Sequence, residues 1–199
     1  MMRFIDAVGK PCPQPVIMAK RAYDDGERSF TLVVDNDAAV ENLKRLGMNL
    51  GANVNVDKHE GVYNVSFAAE DAQERPMPLK RERAEALPGT VFFISGDRIG
   101  EGDRELGKQL MKMMLYTLAN GDDVPGHLVF MNGGVLLAAS DEEQVVASLA
   151  KLHERGVKLI VCGTCLDFYG MRGALSVGEV SNMYEIAEIL LRARKVVTL

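Results

Sequence analysis

The 199-residue sequence has no tryptophan, only three histidines and only three cysteines. It contains no apolar run near the roughly 18 residues that a membrane-spanning helix needs, and no charged-then-apolar leader opens it. Basic residues are dispersed and the formal net charge is −5, which argues against nucleic acid or an anionic membrane as the main partner. These absences predict a cytoplasmic protein that binds neither nucleic acid nor membranes.

The cysteines lie in two distant places, at Cys12 and at the pair Cys162 and Cys165. An odd number in this arrangement does not fit a structural disulfide framework. The histidines are scattered and no second cysteine pair is present, so zinc is the weakest option, and we predict neither a metal nor a cofactor. We therefore interpret the three cysteines as reactive thiols of a protein in a reducing compartment.

The first cysteine lies within the segment GKPCPQP, residues 9–15, where a strand is expected to lead into a helix. Pro13 suits the first helical position because no N–H is needed there, which makes Cys12 the predicted cap residue. A cap side chain faces unpaired amides and the positive end of the helix dipole, which favour a thiolate. Lys10 and Lys20 add positive charge. The segment therefore predicts a reactive Cys12, and the alternative is a buried, inert cysteine.

The first third of the chain alternates between strand and helix patterns. Strands are predicted over residues 3–8, 29–34, 53–57 and 62–68, with helices over 13–25 and from the cap sequence at 35–37 to about Gly51. The order β-α-β-α-β-β predicts a mixed sheet with both helices on one face, which is an α+β two-layer sandwich.

These residues resemble a known signature, that of the TusA/SirA-like sulfur-carrier family, at Arg3, Asp6, Gly9, the Cys12-Pro13-x-Pro15 core and Lys20. The predicted element order matches the fold of that family. The resemblance implies that Cys12 carries a persulfide and passes sulfur between proteins, supported by Asp6, Gly9, Lys10, Pro13, Pro15 and Lys20. The family often has a proline after the acidic pair that opens the second helix, and this sequence has none there.

A stretch with charges of both signs and three prolines follows at residues 71–88. Such a composition buries little apolar surface and resists regular strand pairing. It predicts a linker between a first domain, residues 1–70, and a second domain, residues 89–199.

The second domain repeats a strand-then-helix pattern. Strands are predicted over residues 90–95, 127–131, 157–161 and 196–197, and helices over 104–120, after a capping box at 140–143, and over about 182–192. Strands that alternate with helices predict a parallel, doubly wound α/β sheet.

Ligands of such sheets bind beyond the carboxyl ends of the strands. That rim is expected to bring together the glycine-rich loop that begins at Gly96, residues 132–134 and both cysteines of the pair. The loop lacks the lysine and hydroxyl residue of a phosphate-binding P-loop, so nucleotide binding is not predicted. Two thiols at i and i+3 can form a disulfide, exchange a persulfide or supply half of a metal site. The candidate site residues here are Asn132, Gly133, Cys162, Thr164 and Cys165.

The helix predicted over residues 104–120 has two apolar stripes, more than one sheet face can cover. The first consists of Leu106, Leu110, Met113 and Thr117, and the second of Met111, Leu115 and Leu118. The helix therefore needs a second buried partner. A subunit interface is favoured over contact with the first domain.

Four motifs of this half, at residues 100–107, 132–135, 162–166 and 177–184, resemble a DsrE-like domain of the YedF type. Proteins of that type join a TusA-like domain to a DsrE-like domain. The resemblance implies sulfur relays, homo-oligomers and an association with selenium metabolism.

The leading hypothesis is a persulfide or perselenide carrier, or a sulfurtransferase-like protein. Cys12 would accept the chalcogen from a donor such as a cysteine desulfurase, and Cys162 and Cys165 would receive or resolve it before an acceptor protein takes it. One alternative is a dithiol oxidoreductase that uses Cys162 and Cys165. Another is a non-enzymatic, oligomeric binding or regulatory module.

Overall fold

The computed structural model describes residues 3–68 and 87–199, which belong to two compact units. The predicted linker lies outside the described residues except for its last two, which belong to the first strand of the second unit. Within the described ranges, no helix combines the length and apolar character needed to cross a membrane.

Residues 3–68 fold in the predicted order of elements: β1 (Arg3–Asp6), α1 (Gln14–Asp24), β2 (Ser29–Val34), α2 (Asp37–Leu50), β3 (Asn53–His59) and β4 (Val62–Ala68). The sheet order is β1-β2-β4-β3, in which β1 and β2 are parallel and the other pairs are antiparallel. This mixed sheet confirms the predicted α+β class.

The core of this unit lies between the sheet and the two helices. Phe30, Leu32 and Val34 lie on one face of β2 and are fully buried in this core. The ring of Phe30 stacks on that of Phe67 with 4.8 Å between centroids. Both helices bury residues in this same cluster, so they cover the same face: Ala19, Ala22, Val40 and Leu43.

Because β1 and β2 run parallel side by side, the helices that follow them begin at the same edge of the sheet. The start of α2 is fixed by Asn36, whose side-chain oxygen accepts a hydrogen bond from the Ala39 N–H at 2.8 Å. This is the cap predicted from the sequence. The helix ends at Gly51 in the left-handed conformation that glycine adopts at little cost.

Residues 87–199 form a five-stranded parallel sheet with the order β8-β7-β6-β5-β9. Its elements are β5 (Leu87–Ile94), α3 (Arg104–Asn120), β6 (Pro125–Phe130), α4 (Val135–Ala138), α5 (Glu143–Glu154), β7 (Lys158–Cys162), α6 (Gly163–Phe168), β8 (Glu179–Ser181), α7 (Met183–Arg192) and β9 (Lys195–Thr198). The predicted parallel, doubly wound architecture is confirmed.

The order of the strands determines where the helices lie. From β5 to β8 the chain steps across the sheet in one direction, and it then returns to the opposite edge for β9. Right-handed crossovers therefore place α3 and α5 on one face and α7 on the other. Accordingly, α3 contacts α5, whereas α7 contacts β5 and β7. Leu128, Val129 and Phe130 of β6 are all buried, as expected for a strand covered on both faces.

Two short elements, α4 and β8, were not among the predicted ones, because segments of three or four residues are too short to show a period. The predicted capping box is wrong. Helix α5 begins at Glu143 with Glu142 as its cap residue. The hydroxyl of Ser140 instead accepts the Glu142 N–H at 3.1 Å, which closes a turn just before the helix.

Candidate functional site

Cys12 is exposed and lies between β1 and α1. The helix begins at Gln14, so the prediction that Cys12 is the cap residue is wrong. Pro13, with φ −98° and ψ 15°, is outside the helical conformation and occupies the cap position itself. Cys12 is therefore one residue further from the helix than expected, and its surroundings depend on what the second helix contributes.

A cleft of about 260 Å³ opens beside Cys12, between the starts of α1 and α2. The two helix starts meet there because both follow parallel neighbouring strands. The residues that line the cleft include Lys10, Cys12, Pro15, Asn36, Ala39 and Asn42. The cleft places the sulfur beside α2, a neighbour that the sequence pattern alone did not reveal.

Asn42 supplies the contact to the sulfur. Its side-chain amide donates a hydrogen bond to Cys12 Sγ, with 3.7 Å between nitrogen and sulfur. This contact ties the Cys12 side chain to α2. Asn42 was not a predicted site residue, because its contact with Cys12 depends on how α2 packs beside α1.

The loop that carries Cys12 is attached to the start of α2 by a backbone contact. The N–H of Gly9, a residue with a positive φ of 70°, donates to the Asp35 carboxylate at 2.8 Å. Hydrogen bonds from Asn36 and from this Gly9 N–H lower the pKa of Asp35. Asp6 accepts the Val8 N–H at 3.0 Å and shapes the same loop.

The two lysines expected near Cys12 differ in position. Lys10 lines the cleft. The ammonium of Lys20 forms an ion pair with Asp24, one turn further along α1, at 2.5 Å. Pro15 is buried in the first turn of α1 and forms part of the cleft wall.

In the second unit, Cys162 ends β7 and is the cap residue of α6, and Cys165 lies in the first turn of that helix. The loop expected after Cys162 is therefore helical. Cys162 is buried and Cys165 is partly buried, and both are free thiols. Cap and third-position side chains meet at a helix start. Burial, followed by the interaction with Cys162, raises the pKa of Cys165.

One backbone contact acts in the opposite direction. The Asn132 N–H donates to Cys165 Sγ at 3.1 Å and lowers the pKa of Cys165, partly offsetting the burial. Asn132 is in the left-handed region with φ 47°. Its side-chain oxygen accepts a hydrogen bond from the Tyr169 hydroxyl at 3.1 Å. Tyr169 was not a predicted site residue.

The rim predicted from the sheet topology is present. A Cβ built on Gly133 would lie 3.6 Å from the Gly96 Cα, so the loop after β6 lies against the loop after β5. Thr164 is exposed beside the two cysteines in the first turn of α6. In residues 3–68 and 87–199, no group of three or more His, Cys, Asp or Glu is arranged to hold a metal ion.

The fold and the thiols define a class: a protein with an α+β unit and a parallel α/β unit, each of which presents a cysteine where a strand leads into a helix. Residues 91–199, more than half of the chain, match the DsrE/DsrF-like family, and the chain belongs to that family. Residues 3–67 match the sulfurtransferase TusA family. The TusA-like and DsrE-like resemblances inferred from the sequence are confirmed at the level of these two families, and together they indicate a function in sulfur carriage or sulfur transfer.

Solved structures give further similarities. A SirA-like protein from Desulfitobacterium hafniense is 39% identical, covering 35% of this chain and 100% of its own, with a TM-score of 0.32. The ychN protein from E. coli is 21% identical over 55% of this chain and 97% of its own, with a TM-score of 0.41. A conserved protein of unknown function from Bacteroides thetaiotaomicron is 15% identical over 58% and 99%, with a TM-score of 0.40. Among curated proteins, none matches.

Proposed function

We propose that this chain is a two-site carrier of persulfide sulfur, or of the corresponding selenium. Cys12 accepts the chalcogen from a donor protein such as a cysteine desulfurase. Cys165, with Cys162 beside it, receives it or resolves it. The observation that carries the proposal is the exposed Cys12 sulfur at the mouth of a cleft, with the Asn42 amide as its hydrogen-bond donor.

Each step of the proposal balances without an added oxidant. A thiolate at Cys12 attacks the sulfane sulfur of a donor persulfide, a new S–S bond forms, and the donor sulfur leaves as a thiolate. Cys165 can then attack the outer sulfur on Cys12 in the same way, which returns Cys12 to its thiolate. Attack by Cys162 on the inner sulfur of a Cys165 persulfide would release sulfide and leave a Cys162–Cys165 disulfide.

The cleft supports the first of these steps. Its volume of about 260 Å³ accommodates an additional chalcogen atom on the Cys12 side chain. Lys10 on its wall offers positive charge to an anionic persulfide, and Asn42 offers a donor. Exposure of Cys12 leaves it open to a donor protein, whereas the buried cysteine of the alternative interpretation would be inaccessible.

The remaining parts of the proposal concern cargo, setting and assembly. A YedF-type role in selenium metabolism rests on the joined TusA and DsrE domains. Three free thiols support a reducing, cytoplasmic setting. The stripe that contains Leu106 and Leu110, 54% and 38% exposed on α3, supports a homo-oligomer formed through the second domain.

A labelled-chalcogen transfer assay tests the proposal. The chain is incubated with a cysteine desulfurase and labelled cysteine, and the label is then mapped to peptides in the wild type and in each Cys→Ser variant. We expect label on Cys12 in the Cys165→Ser variant and label on both sites in the wild type. A wild type without label on Cys12, or a Cys12→Ser variant that labels Cys165 equally well, contradicts the proposal.

A dithiol oxidoreductase is the second candidate, because Cys162 and Cys165 occupy the cap and first turn of one helix. Redox titration with thiol trapping separates the two functions. A pair that stays reduced at every accessible potential cannot be that enzyme. A pair that cycles, in a chain that takes up no chalcogen, favours the oxidoreductase.

A further inference from the structure

Two hydrogen bonds in series connect the Tyr169 hydroxyl to the sulfur of Cys165 through Asn132. The Tyr169 hydroxyl donates to the Asn132 side-chain oxygen at 3.1 Å, and the Asn132 N–H donates to Cys165 Sγ at 3.1 Å. Tyr169, the residue just after α6, follows Cys165 by four positions and donates its N–H to the Cys165 carbonyl at 3.1 Å, so the two residues lie one helical turn apart. Asn132 comes from another part of the sheet, the loop after β6.

The backbone conformation of Asn132 makes the second of these hydrogen bonds possible. Its φ of 47° lies in the left-handed region, which residues other than glycine occupy at a cost and which asparagine tolerates better than most. In this conformation its main-chain N–H is directed to the sulfur. The anchored side chain keeps the residue there, so the Tyr169 hydroxyl acts on Cys165 through Asn132.

We propose that the Asn132 main-chain N–H is the donor that stabilises negative charge on the Cys165 sulfur, as a thiolate or as a persulfide anion. Tyr169 is the positioning residue that holds Asn132 in place. The relevance of these contacts to sulfur transfer rests on the proposed function above. The contacts themselves do not depend on that proposal.

Few other groups near Cys165 can take over this task. Burial and the neighbouring Cys162 both oppose a negative charge on the sulfur. The loop and helix that pack against α6, residues 131–139, carry no ionisable side chain. Asp167 and Arg172 pair with each other in a two-point ion pair. Asp97, in the loop beside Gly133, pairs with Arg98 and Arg104, each at 3.8 Å. Loss of the Asn132 N–H contact should therefore have the largest effect on the reactivity of Cys165.

The test measures how fast Cys165 is alkylated as the pH is varied. In a full-length chain with Cys12→Ser and Cys162→Ser, iodoacetamide reacts at Cys165 and its rate follows the thiolate fraction. Tyr169→Phe should move the profile to higher pH and slow the reaction about threefold to tenfold at neutral pH, because the loss of the positioned donor raises the pKa of the thiol and leaves less thiolate. Tyr184→Phe removes the same hydroxyl from an exposed tyrosine of α7 and should leave the profile unchanged.

The direction in which the alkylation profile moves separates a positioning role of Tyr169 from a general loosening of the site. Burial raises the pKa of Cys165, so a loosened site would expose the thiol and speed alkylation. Asn132→Gly provides a second variant, since glycine accepts the left-handed backbone but offers no side chain to Tyr169. It should slow the reaction as Tyr169→Phe does. The inference is overturned if the pH profiles of Cys165 alkylation in both variants match that of Tyr184→Phe or move to lower pH.

This experiment uses no chalcogen donor, so its outcome is independent of the transfer assay. A normal transfer assay with an unchanged Tyr169→Phe profile would reject the positioning role alone. A Tyr169→Phe profile displaced to higher pH, in a chain that takes up no chalcogen, would reject the proposed function and leave the contacts around Cys165 as described.

Discussion

Asn42 donates its side-chain amide to Cys12 Sγ at 3.7 Å, although 30 residues separate the two along the chain. The contact exists because β1 and β2 are parallel neighbours, which brings the starts of α1 and α2 to one edge of the sheet. A cysteine motif that appears local in the sequence therefore works through a second helix. The reactivity of Cys12 should depend on α2 as well as on its own prolines.

Removal of the Asn42 amide should slow the alkylation of Cys12. In a chain with Cys162→Ser and Cys165→Ser, Asn42→Ala should lower the rate of Cys12 alkylation about threefold to tenfold, since a single hydrogen bond contributes about 0.5–1.5 kcal/mol. The measurement is the iodoacetamide rate at neutral pH. Asn55→Ala, at an exposed position of β3, is the matched control and should not change this rate. Equal rates in the two variants would show that the amide does not act on the sulfur.

Asp35 should matter for acid stability. Its folded-state pKa is lowered by Asn36 and by the Gly9 N–H, so its contribution is present above its unfolded value of about 3.9 and is lost as the pH falls through the lower folded value. Asp35→Asn should therefore lower the melting temperature at pH 7, and the difference from wild type should shrink on acidification below about pH 4. Circular dichroism melts at both pH values measure this. A difference that is constant with pH contradicts the assignment, and Asp57→Asn on β3 is the control.

Gly134 and Gly133 should differ sharply in their tolerance of a methyl group. A Cβ on Gly134 would overlap the Ile94 carbonyl oxygen of β5, whereas a Cβ on Gly133 would lie at an ordinary 3.6 Å from the Gly96 Cα. Gly134→Ala should lose about 1–3 kcal/mol of unfolding free energy, and Gly133→Ala much less. Urea unfolding of the two variants measures the difference. Equal stabilities would mean that the loop after β6 is not packed on β5 as described.

The exposed stripe of α3 tests the proposed oligomer. Met111 and Leu115 of this helix are fully buried in the core, whereas Leu106 and Leu110 remain exposed. A charge at Leu106 should weaken association, because a glutamate buried in an interface has no partner. We expect Leu106→Glu to lower the mass measured by light scattering, while Leu191→Glu, on the exposed side of α7, leaves it unchanged. A Leu106→Glu variant with the wild-type mass would argue against this interface.

Periodicity and cap chemistry were sufficient to predict the fold of both units. The β-branched and aromatic content of β2 and the Asn36 cap of α2 are local signals, and local signals can be read from one sequence. The doubly wound sheet followed because strands alternate with helices. Errors occurred where tertiary contacts decide: Pro13 takes the cap position expected for Cys12, and Ser140 closes a turn instead of capping α5.

The candidate sites were only partly predictable. Cys12, Cys162 and Cys165 stand out in the sequence because cysteine is rare in it, and sheet topology placed residues 132–134 on the rim with the pair. Asn42 and Tyr169 could not be found in this way. Each touches its partner across elements that are distant in the sequence, so their roles depend on helix orientation and on the backbone of Asn132.

The most direct test of a chalcogen-carrying Cys12 is the intact mass of the chain after incubation with a cysteine desulfurase and its substrate. The Cys165→Ser variant should gain the mass of one chalcogen atom and the wild type at least one, and a reductant should remove the added mass. The Cys12→Ser variant should gain none. A wild type whose mass does not change, or a Cys12→Ser variant that gains as much as the wild type, would contradict the account.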